Sequence, residues 1–402
     1  MKILHITDIY GDGGGGASLI VDSLCTMLEQ RGHENFVLFG HQSGPITDAS
    51  RKILHIAGIT DFRLRVDEAK MAQVVSFLDR IRPDVVQLHQ VTNHYLVSFI
   101  ANRYPSVLYL YSHLLSCPSG NRLYLNTTEV CHISVSPPCL LNHYTKRCGT
   151  RRPNKVLELY VRSYLNNKAA HLVPRLVAIS DYLKSTLTIA GHEPARVSVI
   201  NALSPAVMVR EADDSLDYPS DSHILLFVGR ITEVKGLQFL IKSLPMLKQD
   251  WHLIVAGDGY YLPQIEDLVA ALGLQTRIEF KQWVPNGEMK ALYERASVIV
   301  VPSIYPDPFV LVGLEAMRYA RPVVAFDVGG ISEWLEDGYN GFLCRHPDIA
   351  DLAAKIDYLL GNKDLARQFG INGKQRLNTT FNPEVITTAF IHCYEEVISA
   401  YN

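Results

Sequence analysis

Short apolar runs recur along the chain, each followed by glycine or polar turn residues and then by a stretch with helical spacing. The first, KILHITDIY, leads into GDGGGGAS, which regular structure does not accommodate. ASLIVDSLCTMLEQRGH follows, with Leu19, Ile20, Leu24, Met27 and Leu28 at helical intervals before Gly32 ends the pattern. NFVLFG predicts a second strand. A helix around MAQVVSFLDRI then passes through Pro83 into the strands DVVQLHQ and SVLYLYSH. Strands alternating with helices predict a parallel sheet covered on both faces. The alternation breaks from Cys117 to about Pro153, a Cys-, Pro-, Asn- and Thr-rich stretch with little periodicity. It resumes with helical KVLELYVRSYLNN and the strands LVAIS and VSVIN.

After a polar stretch containing EADDSLDYPSD, a second series begins: HILLFVGR, WHLIVAGDG, RIEFKQWV, ASVIVVPS, RPVVAFDVGG and GFLCR, with helices between. The pattern predicts an α/β protein of two Rossmann-like domains. The first spans 1–205, with an insertion at about 114–153, and is completed by the helix at 382–402. The linker is 206–222 and the second domain 223–381. A length of 402 residues fits two domains better than one.

Composition narrows the function. A hydrophobic share of 48% with 20% charged residues is a globular balance. A net charge of −3 gives no bulk attraction to nucleic acid or anionic lipid. No apolar run approaches the roughly 20 residues that span a bilayer. Asp8 and the glycines after it interrupt what would be a signal sequence, so a soluble, cytoplasmic protein is expected.

Gly11, Gly13 and Gly16 satisfy G-x-G-x-x-G between a strand and a helix, an arrangement whose backbone N–H groups suit a phosphate. A nicotinamide enzyme would carry a ribose-binding acid at the end of the second strand. Gly40, His41 and Gln42 stand there, and Glu34 lies at the opposite end. The loop alone leaves a dinucleotide-binding oxidoreductase and a plain strand-to-helix turn open.

The second series is more informative. FVGRITEVKG ends a strand with Arg230 and Lys235, five positions apart, where paired cations suit a diphosphate. Downstream, Asp307 precedes a helix start and Glu315 follows eight positions later, about two turns inside a mostly apolar helix. A carboxylate there is costly without hydrogen-bond donors, which sugar or ribose hydroxyls supply. Solvated loop cations and an internally paired Glu315 are the plainer alternatives.

The glycine loop with RGHENFV, the segment FVGRITEVKG, VVPSIYPDPF with LEAMRYARPVVAFDVGGISEWLEDGYNGFL, and the closing helix together resemble the retaining GT-B glycosyltransferases of family 4 over nearly the whole chain. The resemblance implies a GT-B fold, two Rossmann-like domains facing a central cleft, with a nucleotide-sugar donor on the C-terminal domain and a hydroxyl acceptor facing the other. By resemblance Glu315 holds the nucleotide ribose, Asp307 the transferred sugar, and Arg230 and Lys235 the diphosphate. Gly15 and Gly16 approach the phosphates or sugar. The backbone of Phe309, Val310 and Leu311 cradles the donor, and His113 lies near its sugar. Trp283 and Val284, in FKQWVPNGE, are where the base is expected to pack, with UDP favoured. Asp307 stands where the family usually has Glu, and Val310 where it usually has Gly. A requirement for positive φ at 310 would strain a β-branched residue. A degenerate GT-B binding module is the further alternative.

No metal or other cofactor is expected in catalysis. Cys117, Cys131, Cys139 and Cys148 share the irregular stretch, with gaps of 13, 7 and 8 residues. Structural zinc, free thiols and redox pairing all remain open for them. Cys25, Cys344 and Cys393 read as core packing. Lys146, Arg147, Arg151, Arg152, Lys155, Arg162 and Lys168 follow, with Glu158 the one acid among them. That basic stretch is either a solvated face or a peripheral contact with the inner face of the membrane.

Overall fold

The computed structural model describes residues 1–11, 15–46, 51–203, 218–219 and 223–401. Most of the expected linker lies outside them, as do Asp12, Gly13 and Gly14 of the glycine loop. Chain contacts divide the protein into two units, residues 1–208 with 383–402, and residues 209–382.

The first unit holds a seven-stranded parallel sheet in the order β3-β2-β1-β4-β5-β8-β9. These strands are β1 (Lys2–Tyr10), β2 (Glu34–Gln42), β3 (Lys52–His55), β4 (Val85–His89), β5 (Ser106–Leu110), β8 (Arg175–Ala178) and β9 (Val197–Val199). The order reverses between β1 and β4, as in doubly wound folds. The central strands are continuously apolar because helices cover both faces; every residue of β4 and β5 is buried. The helices are α1 (Gly15–Gln30), α2 (Glu68–Ile81), α3 (His94–Ala101), α4 (Pro138–Thr145), α5 (Pro153–Ala170) and α6 (Asp181–Ile189). Three elements that the sequence reading did not name appear here: edge strand β3 and helices α3 and α6. The stretch expected to be irregular also contains α4 and a two-stranded hairpin, β6 (Leu123–Tyr124) with β7 (Glu129–Val130).

The second unit holds six parallel strands ordered β12-β11-β10-β13-β14-β15. They are β10 (Ile224–Val228), β11 (His252–Ala256), β12 (Ile278–Gln282), β13 (Val298–Val301), β14 (Val323–Phe326) and β15 (Gly341–Cys344). The order reverses between β10 and β13. Its helices are α7 (Leu237–Ser243), α8 (Leu262–Ala271), α9 (Asn286–Arg295), α10 (Leu311–Arg318), α11 (Ile349–Gly361) and α12 (Lys363–Thr380). The last helix, α13 (Pro383–Tyr401), belongs to the first unit: Tyr394 donates to Gln87 Oε1 on β4, and Phe390 meets Tyr109 of β5 edge-on at 5.2 Å. Cys25, Cys344 and Cys393 are buried in these cores. Among the described residues no helix is long and apolar enough to cross a membrane.

A buried polar chain crosses the first sheet. His5 Nδ1 lies 3.1 Å from His89 Nε2, and His5 Nε2 lies 3.0 Å from Asn35 Oδ1. Burial lowers the His5 pKa from 6.5 to about 4 and lowers that of His89 as well. Below pH 6.5 the unfolded chain takes up protons that the folded chain refuses. Stability is therefore present above about pH 6.5 and declines as the pH falls toward 4. Urea midpoints at pH 7.5 and 5 check this: the lower pH gives the lower midpoint, and His5→Gln gives a flatter dependence. Equal midpoints would contradict it.

Candidate functional site

In an open α/β sheet the crevice for ligand lies outside the strand ends where the order reverses. In the second unit that place is set by the loops after β10 and β13, and the two loops are joined. The N–H groups of Ile304 and Tyr305 both donate to Val234 O, at 3.0 and 3.1 Å. Gly236 permits this approach. Its φ is +76°, and a Cβ there would stand 1.8 Å from Pro302 O. Lys235 and Asp307, far apart in sequence, consequently form an ion pair. Their side chains are 24% and 13% exposed, and Lys235 Nζ also sits 5.6 Å from the Tyr305 ring centroid. Arg230, on the same loop as Lys235, is exposed.

Asp307 is braced from behind by the loop after β14. The N–H of Gly330 donates to Asp307 O at 2.8 Å, and Gly329, at φ +68°, would place a Cβ 2.5 Å from the same oxygen. The chain then passes through buried Phe309 and Val310 into α10. Val310 has φ −94° and ψ 107°, an extended conformation that a β-branched residue adopts freely, so the strain considered for this position does not arise. No side chain caps α10 at Val310. The N–H groups of its first turn, including that of Leu311, carry the positive end of the helix dipole.

Glu315 is the fifth residue of α10, a little over one turn in and nearer the N-terminus than the expected two turns. Tyr293, on α9, donates its hydroxyl to Glu315 Oε2 at 2.5 Å. Burial pushes the Glu315 carboxyl above its ordinary range, and the Tyr293 hydrogen bond pulls it back. Tyr293 is held in turn by stacking on Tyr319, with centroids 5.1 Å apart, and by Arg321 Nε, which donates to its carbonyl at 2.9 Å. Trp283 and Val284 follow β12, and Trp283 is 69% exposed.

The remaining expected site residues belong to the first unit. Gly15, at φ +64°, opens α1, and Gly16 follows it; both are exposed. His113 lies three residues beyond the end of β5, in the turn after the strand, where it had been expected to end the strand itself. It is fully buried, with Tyr182 edge-on at 5.8 Å. The basic stretch is largely engaged locally: Lys155 pairs with Glu158, Lys146 and Lys168 sit over Tyr124 and Tyr164, and Arg162 reaches Pro118 O. Arg151 and Arg152 are exposed.

Tyr293, Gly329 and Gly330 are site residues that sequence reasoning did not assign. The VGG tripeptide was a visible signal for the glycines. Nothing local ties Tyr293 to Glu315. Among the described residues one group of three metal-ligand side chains lies within 4.8 Å: Asp8, His41 and Asp61 in the first unit. The group is open to solvent; His41 Nε2 bonds Asp61 Oδ1 at 2.6 Å, and Asp8 accepts from the hydroxyl of Thr60, outside the group.

The model of the family described as glycosyl transferases group 1 matches residues 208–376, and that of glycosyltransferase family 4 matches residues 14–202. An uncharacterized glycosyltransferase of Methanocaldococcus jannaschii is 31% identical over 282 residues, covering 66% of this chain and 70% of that protein. The alpha-maltose-1-phosphate synthase of Mycolicibacterium smegmatis is 28% identical over 264 residues, 59% of this chain and 67% of that one. Among solved structures, the sucrose-phosphate synthase of Thermosynechococcus elongatus matches with a TM-score of 0.73 over 99% of both chains, at 19% identity. HepE of Anabaena, solved with UDP-glucose, matches with a TM-score of 0.69 over 100% of both chains, also at 19% identity. At that identity the likeness is one of fold.

Proposed function

The chain belongs to the group 1, family 4 glycosyltransferases, and from that premise we propose that it moves a sugar from a nucleoside-diphosphate donor, a UDP-sugar by preference, to a hydroxyl acceptor with retention at the anomeric carbon. The observation that carries this reading is the joining of the loops after β10 and β13, which sets Lys235 against Asp307 beside the uncapped N-terminus of α10. Cation, carboxylate and helix N-terminus within one crevice meet two parts of such a donor, the diphosphate and the sugar hydroxyls. HepE, with its UDP-glucose, supports the choice of uridine.

In this reading Arg230, Lys235 and the first turn of α10 stabilise the charge that collects on the departing diphosphate, the largest expected contribution to rate. Asp307 accepts from hydroxyls of the transferred sugar, and Lys235 is shared between that carboxylate and the phosphate. Glu315 keeps one oxygen on Tyr293 and offers the other to the nucleotide ribose. Trp283 with Val284 packs the base. Attack from the face that the leaving group vacates lets the departing phosphate take the acceptor's proton, so no carboxylate nucleophile is needed.

Proton NMR of reactions with a panel of nucleotide sugars and hydroxyl acceptors tests the proposal. Release of the nucleoside diphosphate with a new anomeric signal of the donor's configuration is expected. Inversion would remove the retaining mechanism, and failure of every donor would remove the donor assignment.

A further inference from the structure

The stretch between β5 and α5 has little regular structure to hold it, only α4 and the four-residue hairpin of β6 and β7. Its cysteines come from four separate pieces of chain. Cys117 follows the turn after β5, where its N–H donates to His113 O at 2.8 Å. Cys131 follows β7 directly, Cys139 is the second residue of α4, and Cys148 lies just beyond that helix. All four are buried, none is in a disulfide, and all four line one cavity of about 10 Å³, room for a single water-sized atom or ion.

A second observation is independent of the thiols. Arg122 lines the same cavity and is 1% exposed. It bonds Tyr182, yet its Nε and Nη1 are buried with no acceptor among the described residues. A guanidinium taken out of water with two idle donors is costly unless acceptors or an anion stand beside it. Neutral thiols are only weak acceptors. Four thiolates around a divalent cation carry a net charge of −2 and present sulfur acceptors to the guanidinium.

We propose that Cys117, Cys131, Cys139 and Cys148 bind one zinc ion as four thiolates, with Arg122 as the counter-cation. Four S–H protons pass to solvent as four Zn–S bonds form, and no electron is transferred. Zinc matches a soft tetrahedral thiolate set with no redox change. Zn–S bonds of about 2.3 Å hold tetrahedral sulfurs roughly 3.8 Å apart. Among the described residues these sulfurs do not form a group within 4.8 Å of one another, so the proposal requires the four pieces of chain to draw together around the ion. The ion then fixes Arg122, through it Tyr182, and through Tyr182 the position of His113.

Elemental analysis of the full chain, purified without chelator or a metal-affinity step, should give about one zinc per chain. Cys131→Ser and Cys148→Ser should each retain less than about a tenth of that, and Cys393→Ala should retain all of it. Cobalt(II) titration of the stripped wild-type chain keeps the test independent of variants that misfold. The tetrahedral thiolate spectrum should appear and saturate at about one cobalt per chain. Iron in place of zinc, a disulfide among the four in alkylated intact-mass spectra, or a metal-free folded chain that gives no tetrahedral cobalt spectrum would each overturn the proposal.

Discussion

Arg230→Ala is expected to lower kcat/KM for the nucleotide-sugar donor roughly 10²–10³-fold while leaving Tm unchanged. The side chain is exposed and enters no ion pair among the described residues, so its removal costs the folded chain nothing visible. On the proposed reading, what it removes is a cation facing the diphosphate at the moment negative charge collects there. Lys235→Ala should cost as much turnover but behave differently in stability. It strands the Asp307 carboxylate, which is 13% exposed, without its partner. Breaking a fully buried pair costs about 3–5 kcal/mol, and a partly exposed pair costs less. Adding Asp307→Asn should recover the stability and not the turnover. Chemical denaturation and donor kinetics on the three variants separate the two effects. Wild-type kcat/KM in Arg230→Ala would remove the diphosphate assignment.

The second large effect is expected at Glu315. Glu315→Gln keeps the shape of the side chain and an oxygen for Tyr293, but removes the charge offered to the ribose. Charge-assisted hydrogen bonds contribute about 1.5–3 kcal/mol, so kcat/KM should fall roughly 10–150-fold, mostly through a raised KM for donor. Stability should move the other way. Burial raises the Glu315 pKa, so the folded chain binds this proton more tightly than the unfolded one. The carboxylate therefore weakens the fold as the pH rises through the folded value, and glutamine relieves that cost. A Tm equal to or above wild type at pH 7.5, together with weakened donor use, is the expected pair of results. A lower Tm with unchanged KM would make Glu315 a structural residue.

The parts of this site that were legible in the sequence are those carried by local pattern. Buried parallel strands read as continuous apolar runs, so β10 and β13 were visible, and with them the loops bearing Arg230, Lys235 and Asp307. Edge strand β3 has four residues and an exposed-to-partial burial pattern, too little to register as a run. Helix α3, HYLVSFIA, is apolar all along and short enough that periodicity does not tell helix from strand. Contacts between distant segments left no local trace. The Tyr293 hydroxyl on Glu315, the Lys235–Asp307 pair and the Gly329 brace exist because helices and loops meet in space. The concern over Val310 came from analogy with a glycine, and the backbone dihedrals of this chain remove it. The four cysteines lacked paired ligand spacing because each comes from a different piece of chain, and the common cavity is visible only in the fold.

The central claim, that this chain binds a nucleoside-diphosphate sugar, is tested most directly by thermal unfolding of the purified protein against UDP, GDP, ADP, their common sugar conjugates and NAD. A ligand at 100 times its Kd adds about 2.7 kcal/mol of stability, an easily measured rise in Tm. The account predicts stabilisation by one nucleoside diphosphate, more by one of its sugars, and loss of that shift in Arg230→Ala. Stabilisation by NAD alone, with no response to any nucleoside diphosphate, would contradict it.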